Sequence, residues 1–359
     1  MSAPSNPRSV HVWQSSRVSR AAGWVSGVVI IFLATLPWWM GRGQVSVMME
    51  FFYYLALAQM WNLLAGYAGI VSLGQQAFLG LGGYVLFFAS IELGLHPLAA
   101  LLVAALAGAI VALPGALVVF RLQGAYQAIG TWVIAEVFSL FFLQVQSLGA
   151  GSGMSLPVRV ARMVQIGSLR RDSVLYLIAL GIGLLVTACS YALLRSKTGL
   201  ALMAVRDNEL SARTAGVNSQ RIKLMVFVAT SCGTALTGAL IYLAKLRISP
   251  QAAFDINWTS YMLFIVVIGG IGTLEGPIVG TLIFFLLRQY LAQMGSSYLI
   301  ILGALAVVVM LWLPGGLWGT FAKRFDISLF TTQRLFVADE VPPENEIEGG
   351  DSAAIALQR

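Results

Sequence analysis

The sequence predicts an all-α polytopic membrane protein with roughly 8–10 transmembrane helices, glycine-broken segments and one polar cytoplasmic helix. Hydrophobic residues make up 58% of the 359 residues, and the mean hydropathy is +0.83, far above the averages of soluble domains. Apolar runs of about 20 residues recur, which is the length needed to cross roughly 30 Å of hydrocarbon. Such runs are longer than the alternating strands of a membrane β-barrel.

Ten candidate spans follow from the apolar runs: 21–40, 44–65, 69–93, 97–120, 124–147, 173–194, 223–244, 259–273, 277–293 and 297–319. The eighth and ninth are short because GGIGTLEGP (269–277) interrupts them, so the pair is also compatible with one re-entrant unit. We therefore expect a polar tail over 1–20, a transmembrane domain over 21–320 and an acidic tail over 321–359. The composition of the acidic tail cannot bury a core, which predicts disorder.

The lysines and arginines predict the orientation of these spans. With the N-terminus inside, fourteen of them fall on the inner side of the membrane and seven on the outer side. We therefore expect both termini to be cytoplasmic. The net charge of +7 follows from this topology and does not indicate nucleic-acid binding.

Several classes of function are excluded by what the sequence lacks. It contains no G-x-x-x-x-G-K-[ST] phosphate loop, so it does not bind ATP by that route. Its two histidines, His11 and His96, cannot form a metal cluster. No Ser/His/Asp set can be assembled within the spans. We predict a protein without metal, cofactor or catalytic activity of its own.

The third span contains a glycine-rich stretch, GYAGIVSLGQQAFLGLGGY (66–84), in which Ser72, Gln75 and Gln76 interrupt the apolar pattern. One interpretation is a broken helix that presents polar groups to a transport pathway, because unwound backbone at membrane depth must line protein or water. The other is close helix packing through small residues. Packing accounts for the glycines, but it does not account for two adjacent glutamines.

A carboxylate, Glu136, lies near the middle of the fifth span. Its insertion into the membrane costs about 2.5–3.5 kcal/mol, so it is a functional candidate. Ala128, Trp132, Glu136 and Ser139 share one helical stripe, which we expect to face protein. The alternative is a structural carboxyl group satisfied by a neighbouring helix. Arg288, near the end of the ninth span, can snorkel towards the interface, which favours a structural role.

A polar segment, 195–223, separates the sixth and seventh spans. Residues 200–215 lack Pro and Gly and are rich in Ala and Leu, which predicts a helix, and Gly216 suits a left-handed C′ position. The acids at its centre distinguish it from a basic helix that lies in the lipid interface. The pattern therefore favours a helix that docks into a groove of a partner.

Four stretches together resemble the permease subunits of branched-chain amino acid ABC importers, in particular the longer of the two permeases. They are NLLAGYAGIVSLGQQAFLGLGGY (62–84), GTWVIAEVFSLFF (130–142), GLALMAVRDNELSARTAGVNSQRIKLMVFVATSCGTALTGAL (199–240) and GGIGTLEGPIVG (269–280). The resemblance extends in order over about 62–315. It implies a bacterial inner-membrane subunit whose partners are a second homologous permease, two ATP-binding cassette subunits and a periplasmic solute-binding protein.

The resemblance also implies roles for particular residues. The helix at about 199–217 would seat in a cleft of the ATP-binding subunit, with contact and hinge residues Arg206, Asp207, Asn208, Glu209 and Gly216. The candidate residues of the substrate pathway are Asn62, Ser72, Gln75, Gln76, Thr131 and Glu136.

Two departures from the family pattern leave questions open. Gln75 stands where the family usually has histidine, so the cargo is a branched-chain amino acid, another amino acid, a short amide or urea. Glu209 and Gly216 are seven residues apart, whereas the importer loop usually separates them by six. The alternative class is a proton-coupled secondary transporter in which Glu136 carries the proton.

Overall fold

We describe the fold from a computed structural model in which residues 17–167, 169–291, 297–313 and 315–325 are described. Most of the two expected tails, 1–20 and 321–359, therefore lies outside the described residues. Within the described ranges the structure is almost wholly helical, apart from a two-stranded antiparallel ribbon of β1 (Met154–Ser155) and β2 (Arg247–Ile248).

Fifteen helices are present in the described part of the chain. They are α1 (Arg17–Trp39), α2 (Arg42–Asn62), α3 (Gln76–Ile91), α4 (Pro97–Val119), α5 (Ala125–Gln144), α6 (Val158–Met163), α7 (Arg171–Arg195), α8 (Lys197–Asp207), α9 (Glu209–Thr214), α10 (Ser219–Lys245), α11 (Pro250–Ala253), α12 (Asn257–Gly269), α13 (Gly276–Leu291), α14 (Ser297–Trp312) and α15 (Gly316–Phe325). A π-helical turn, Leu63–Tyr67, follows α2, and two 3₁₀ turns, Gln146–Leu148 and Ala150–Ser152, follow α5.

The prediction of an all-α polytopic membrane protein is confirmed. Six stretches are long and apolar enough to cross a membrane, namely α4, α5, α7, α10, Pro250–Gly269 and Leu299–Ala322. Three shorter apolar helices accompany them, Gly27–Trp39, Gln76–Ile91 and Gly276–Leu291.

Two predicted spans differ from the observed helices. The third span was expected over 69–93, but α3 begins only at Gln76 because residues 68–75 are not helical. The tenth was expected over 297–319, but α14 ends at Trp312, and Gly316 has a φ of +69°, which a continuous helix cannot accommodate. The amphipathic helix α15 follows and extends beyond the expected domain end at residue 320.

The two short spans are formed by α12 and α13, which pack as an antiparallel pair around the loop 270–275. This loop lies beside the end of α2, whereas Arg288 of α13 contacts Glu50, nearer the start of α2. Because α13 therefore runs along α2 towards its other end, two separate crossings fit better than one re-entrant unit.

Helix α10 lies at the centre of the bundle and packs against α3, α4 and α2. Glycines allow the close contact between α3 and α10. A Cβ atom on Gly82 would lie 2.0 Å from the carbonyl oxygen of Ala235, and one on Gly238 would lie 2.2 Å from that of Leu79. The packing interpretation of the glycine-rich stretch therefore holds for the helical part of α3.

The polar helices α8 and α9 lie at one end of the bundle, between α7 and α10, and we call this the α8–α9 end. The β1–β2 ribbon lies at the opposite end, where β2 follows the last turn of α10. Arg171 at the start of α7 donates to the carbonyls of Leu243 and Ala244 at that opposite end. Helices α7 and α10 are therefore antiparallel and span the whole bundle.

We predict that Gly82→Ala lowers the stability of the protein by about 1–3 kcal/mol, because the added methyl group meets backbone that cannot rotate away. Gly181→Ala in α7 is the matched control, since nothing lies within 4 Å of a Cβ atom there. Thermal unfolding of the purified protein in detergent measures both. An equal midpoint for the two variants would show that α3 and α10 do not pack this closely.

Candidate functional site

Helical structure is interrupted between α2 and α3, as the glycine-rich stretch predicts. The π-helical turn Leu63–Tyr67 widens the end of α2, and residues 68–75 then run without helical structure. Gly69 has a φ of +69°, in the left-handed region that favours glycine. The amide of Ile70 bonds back to the carbonyl of Leu64, so part of the freed backbone stays satisfied.

Asn62 joins this break to the loop 270–275. Its Nδ2 donates to the carbonyl oxygen of Thr273 at 2.8 Å, and its Oδ1 accepts from the amide of Gly272 at 2.8 Å. One turn earlier, Gln59 Nε2 donates to the carbonyl oxygen of Leu274 at 2.9 Å. Asn62 is 1% exposed, so these bonds form inside the protein, where an unpaired amide would be costly.

Arg206 of α8 reaches the same place from the polar segment. Its Nη1 donates to the carbonyl oxygen of Gly66 at 2.7 Å and lies 3.0 Å from the position of a Cβ atom on Gly272. A Cβ atom on Gly66 would lie 2.5 Å from Asn62 Oδ1 and 2.6 Å from the amide of Gly272. We call Asn62, Gly66, Arg206, Gly272 and Thr273 the loop junction.

The predicted single helix over 200–215 is wrong, because the structure has two helices, α8 and α9. The break is at Asn208, with φ −156° and ψ 101°, whose Oδ1 accepts from the amide of Ser211 at 3.0 Å. Asparagine is among the preferred N-cap residues, so its side chain begins a new helix there.

The expected left-handed C′ residue is confirmed after α9. Gly216 has a φ of +84°. The amide of Val217 bonds to the carbonyl of Ala212 at 3.0 Å, and that of Gly216 to the carbonyl of Arg213 at 3.0 Å. These two bonds close the end of α9 in the manner of a Schellman motif.

Glu209 ties α9 to α10. Its Oε1 accepts from Arg213 Nη2 at 2.7 Å and from Ser219 Oγ at 2.9 Å, and its Oε2 accepts from Lys223 Nζ at 2.6 Å. The hydrogen bond from Lys223 is the largest cause that holds the pKa of Glu209 below its usual value. Glu209, which was predicted to contact a partner, therefore forms these bonds within its own chain.

The outer surface of the polar segment is formed by other residues. Leu210 is 75% exposed, which is unusual for a large apolar side chain on a polar helix. Asp207 is also largely exposed and touches Arg206 at 3.3 Å. The sequence analysis did not single out Leu210, although its place beside Glu209 in a charged segment was a usable signal.

The two glutamines lie inside the bundle, each 1% exposed. Gln75 Oε1 accepts from Thr234 Oγ1 of α10 at 3.3 Å, while its Nε2 has no partner within the described ranges. Gln76 bonds to Thr259 of α12 through both its side chain and its amide. The glutamines therefore form a polar layer that joins α3, α10 and α12.

Ser72 and Thr131 hold the broken segment against its neighbours. The carbonyl oxygen of Ser72 accepts from Trp61 Nε1 at 2.9 Å, and its Oγ accepts from the amide of Gly74 at 3.2 Å. Thr131 Oγ1 accepts from the amide of Leu73 at 3.0 Å. A cavity of about 30 Å³ lies between Ser72, Gly74 and Thr131, which is enough for about one water molecule.

The expected stripe of α5 faces the interior of the chain only in part. Thr131 and Ser139 are buried with Ala135 between them, whereas Trp132 and Glu136 are exposed. The buried stripe is thus displaced by one residue from the expected one at Trp132 and Glu136, whereas the two stripes coincide at Ser139. The structure brings Ser72, Gln75, Gln76 and Thr131 together around the non-helical segment 68–75. Glu136, in contrast, makes no hydrogen bond or ion pair with any described residue.

Arg288 has a structural role, as expected for a charged residue near the end of its span. Its Nη1 lies 2.9 Å from Glu50 Oε2 and 2.8 Å from the hydroxyl of Tyr54, and its guanidinium also covers the Tyr54 ring. Lys245 lies nearby over the ring of Trp258, 4.8 Å from its centroid. Glu50 could not be predicted from the sequence, because its partner Arg288 is 238 residues away in the chain.

The sequence pattern of a protein family described as "Branched-chain amino acid transport system / permease component" matches residues 43–312. These residues include the loop junction, α8 and α9. The chain belongs to this family. The permease is thus a membrane component of a branched-chain amino acid transport system, driven by ATP as the family is.

Curated relatives agree with this membership. The permease is 27% identical over 316 residues to the high-affinity branched-chain amino acid transport system permease proteins LivM of Escherichia coli (strain K12) and of Salmonella typhimurium (strain LT2), covering 80% of this chain and 73% of each relative. It is 27% identical over 185 residues to a probable LivM of Methanocaldococcus jannaschii, covering 51% of this chain and 52% of the relative. No solved structure matches the permease.

We predict that the Glu209 contacts weaken in acid. Because the pKa of Glu209 is lower in the folded protein, its stabilising contribution is complete above the usual pKa of 4.5 and is lost as the pH falls through the lowered value. Glu209→Gln should remove this pH dependence and raise hydrogen exchange in α9 at neutral pH.

Asp207→Asn is the control, since that carboxylate contacts only Arg206 among the described residues. Hydrogen exchange corrected for its intrinsic pH dependence measures the effect. Equal protection of α9 in Glu209→Gln and in the unmodified permease would contradict the role of Glu209.

Proposed function

We propose that this permease forms the transport pathway together with a second, homologous permease, and that two ATP-binding cassette subunits drive it from the cytoplasm. A periplasmic binding protein delivers the solute, a branched-chain amino acid. The permease itself has no catalytic activity. The observation that carries the proposal is the contact of Arg206 with Gly66, which connects the exposed α8–α9 segment to the broken backbone inside the bundle.

The α8–α9 segment is the docking site for the ATP-binding subunit in this proposal. Leu210 supplies an exposed apolar anchor, and Asp207 supplies a charge beside it. The segment has two attachments to the bundle: Arg206 holds α8 to Gly66, and Glu209 holds α9 to Lys223 of α10. Movement of the docked subunit would therefore reach both the loop junction and the central helix.

The proposed docking places the α8–α9 end in the cytoplasm, because ATP is hydrolysed there. The same orientation puts fourteen of the lysines and arginines on the inner side, in agreement with the positive-inside rule. Both termini are then cytoplasmic. The membrane is the inner membrane of a bacterial cell, where a periplasmic binding protein has access to the opposite end.

We place the substrate pathway along the exposed face of α5, between the two permeases. A carboxylate on the surface of a span is costly in lipid, so Glu136 is expected to face water or protein. In this arrangement Ser72, Gln75, Gln76 and Thr131 support the broken segment behind α5. Glu136 lies at the pathway, and Asn62 acts from the loop junction.

The source of energy tests the proposal against proton-coupled transport through Glu136. Uptake of radiolabelled leucine into vesicles that contain all subunits should require ATP and persist when an ionophore collapses the proton gradient. Omission of the ATP-binding subunits is the control and should abolish uptake. Loss of uptake on addition of ionophore, with ATP intact, would favour a secondary transporter.

Two substitutions separate docking from transmission. Leu210→Glu should weaken co-purification of the ATP-binding subunits, because it places a charge at an apolar anchor. Arg206→Gln should leave co-purification intact and lower substrate-stimulated ATP hydrolysis by about tenfold or more, since a charge-assisted hydrogen bond contributes about 1.5 kcal/mol or more.

Leu93→Glu is the matched control for Leu210, because Leu93 is also exposed but follows α3 at the opposite end of the bundle. It should preserve both co-purification and stimulated hydrolysis. Normal stimulated hydrolysis in Arg206→Gln would show that the contact with Gly66 does not transmit movement.

A further inference from the structure

An apolar groove of about 470 Å³ runs along the outside of the bundle between α4 and α10. Its lining includes Ala109 of α4 and, from α10, Arg221, Leu224, Met225, Val228 and Cys232. The arginine is the one charged residue of the lining. The groove is separate from the loop junction and from the exposed face of α5, so the proposed transport function leaves it unused.

The length of the groove along α10 matches the thickness of one leaflet of a bilayer. Cys232 follows Arg221 by eleven residues along α10, which corresponds to about 16 Å at 1.5 Å per residue. Half of a hydrocarbon core of roughly 30 Å is about 15 Å. The groove thus extends from the α8–α9 end to the middle of α10, a length that one acyl chain covers.

The end of the groove near α9 attracts an anion. Arg221 is exposed, and its guanidinium has no ion pair in the part of the chain that the structure describes. Arg221 lies in the first turn of α10, and its backbone amide donates to Asn218 Oδ1 at 3.1 Å. The positive end of this 27-residue helix therefore points to the same place. The nearby acid Glu209 is already bound by Arg213 and Lys223.

A second arginine lies at the same end of the neighbouring helix. Arg121 lies two residues after the end of α4, is exposed, and likewise has no ion pair with a described residue. The rings of Phe120 and Phe227 pack at 5.8 Å, which shows that the end of α4 lies beside the first turns of α10. Arg121 therefore adds positive charge at the same end of the bundle as Arg221, although it is not part of the groove lining.

We propose that this groove binds an anionic glycerophospholipid from the leaflet at the α8–α9 end. One acyl chain lies along Val228 and Cys232, and the phosphate is bound by Arg221, while Arg121 adds positive charge at the same end of the bundle. An anionic lipid uses both parts of the site, whereas a zwitterionic lipid gains less from the arginines and inorganic phosphate gains nothing from the apolar walls.

Lipid bound at this site would also stabilise the attachment of the proposed docking segment. Lys223 is two residues from Arg221 and binds Glu209 of α9. A bound lipid stabilises the first turn of α10 by mass action, and with it the attachment of α9. This step rests on the proposed function, whereas lipid binding itself does not.

Thermal unfolding of the purified, delipidated permease in detergent tests the binding. Phosphatidylglycerol should raise the unfolding midpoint in a saturable way, while phosphatidylcholine should raise it much less. Arg221→Gln should weaken the apparent affinity for phosphatidylglycerol about tenfold. Ala229→Trp should abolish binding, because Ala229 is exposed along the groove and a large ring fills it without entering the core.

Arg42→Gln is the control, since Arg42 is exposed at the start of α2 at the opposite end and should leave lipid binding unchanged. Arg221→Lys keeps the charge and should retain most of the affinity, which guards against a variant that fails to fold. In a Cys189→Ala background Cys232 is the remaining thiol, and phosphatidylglycerol should slow its modification by a membrane-permeant maleimide.

Three results would overturn the proposal. The first is equal stabilisation by the two lipids with no effect of Arg221→Gln. The second is the same stabilisation by inorganic phosphate alone, which would indicate an anion site without lipid. The third is an Ala229→Trp variant that binds lipid normally but no longer associates with a second permease, which would make this face a protein interface. Failure of ATP-driven uptake would leave the lipid result unaffected.

Discussion

The structure depends on hydrogen bonds to the backbone N–H and C=O groups that lie outside helices, because the hydrocarbon core of a membrane offers them no water. Residues 68–75 and 270–275 are irregular stretches inside the bundle, and they meet at the side chain of Asn62. That one amide donates to the carbonyl of Thr273 and accepts from the amide of Gly272, while Gly66 and Gly272 allow the backbones to approach. Arg206 then satisfies a carbonyl that helix α2 has left free.

Around this junction α10 connects the other parts of the permease. Its first turn carries Lys223, which binds α9, and its middle carries Thr234, which binds Gln75 at the start of α3. Close contacts at Gly82 and Gly238 then fix α3 against it. Under the proposed docking, movement of the α8–α9 segment would reach the broken segment by two routes, from α9 through α10 and from α8 through Arg206.

The sequence predicts most of the fold, because long apolar runs and glycine-rich interruptions are local features. It also predicts the break before α3 and the left-handed Gly216. It does not predict which way a membrane helix faces, since lipid and core select the same apolar residues. The inward face of α5 was therefore misplaced, and Glu136 lies outside. Pairs such as Glu50 with Arg288, and clamps such as Asn62 with Thr273, depend on contacts between distant parts of the chain.

The break at Asn208 changes how a load on this segment is distributed. A single rigid rod over 200–215 would move its two attachments together, in the same direction and by related amounts. Two short helices that meet at an extended residue instead act as an articulated linkage, with α8 anchored to Gly66 and α9 anchored to α10. Under the proposed docking, a change of the angle at Asn208 would therefore let one push move α8 and α9 by different amounts.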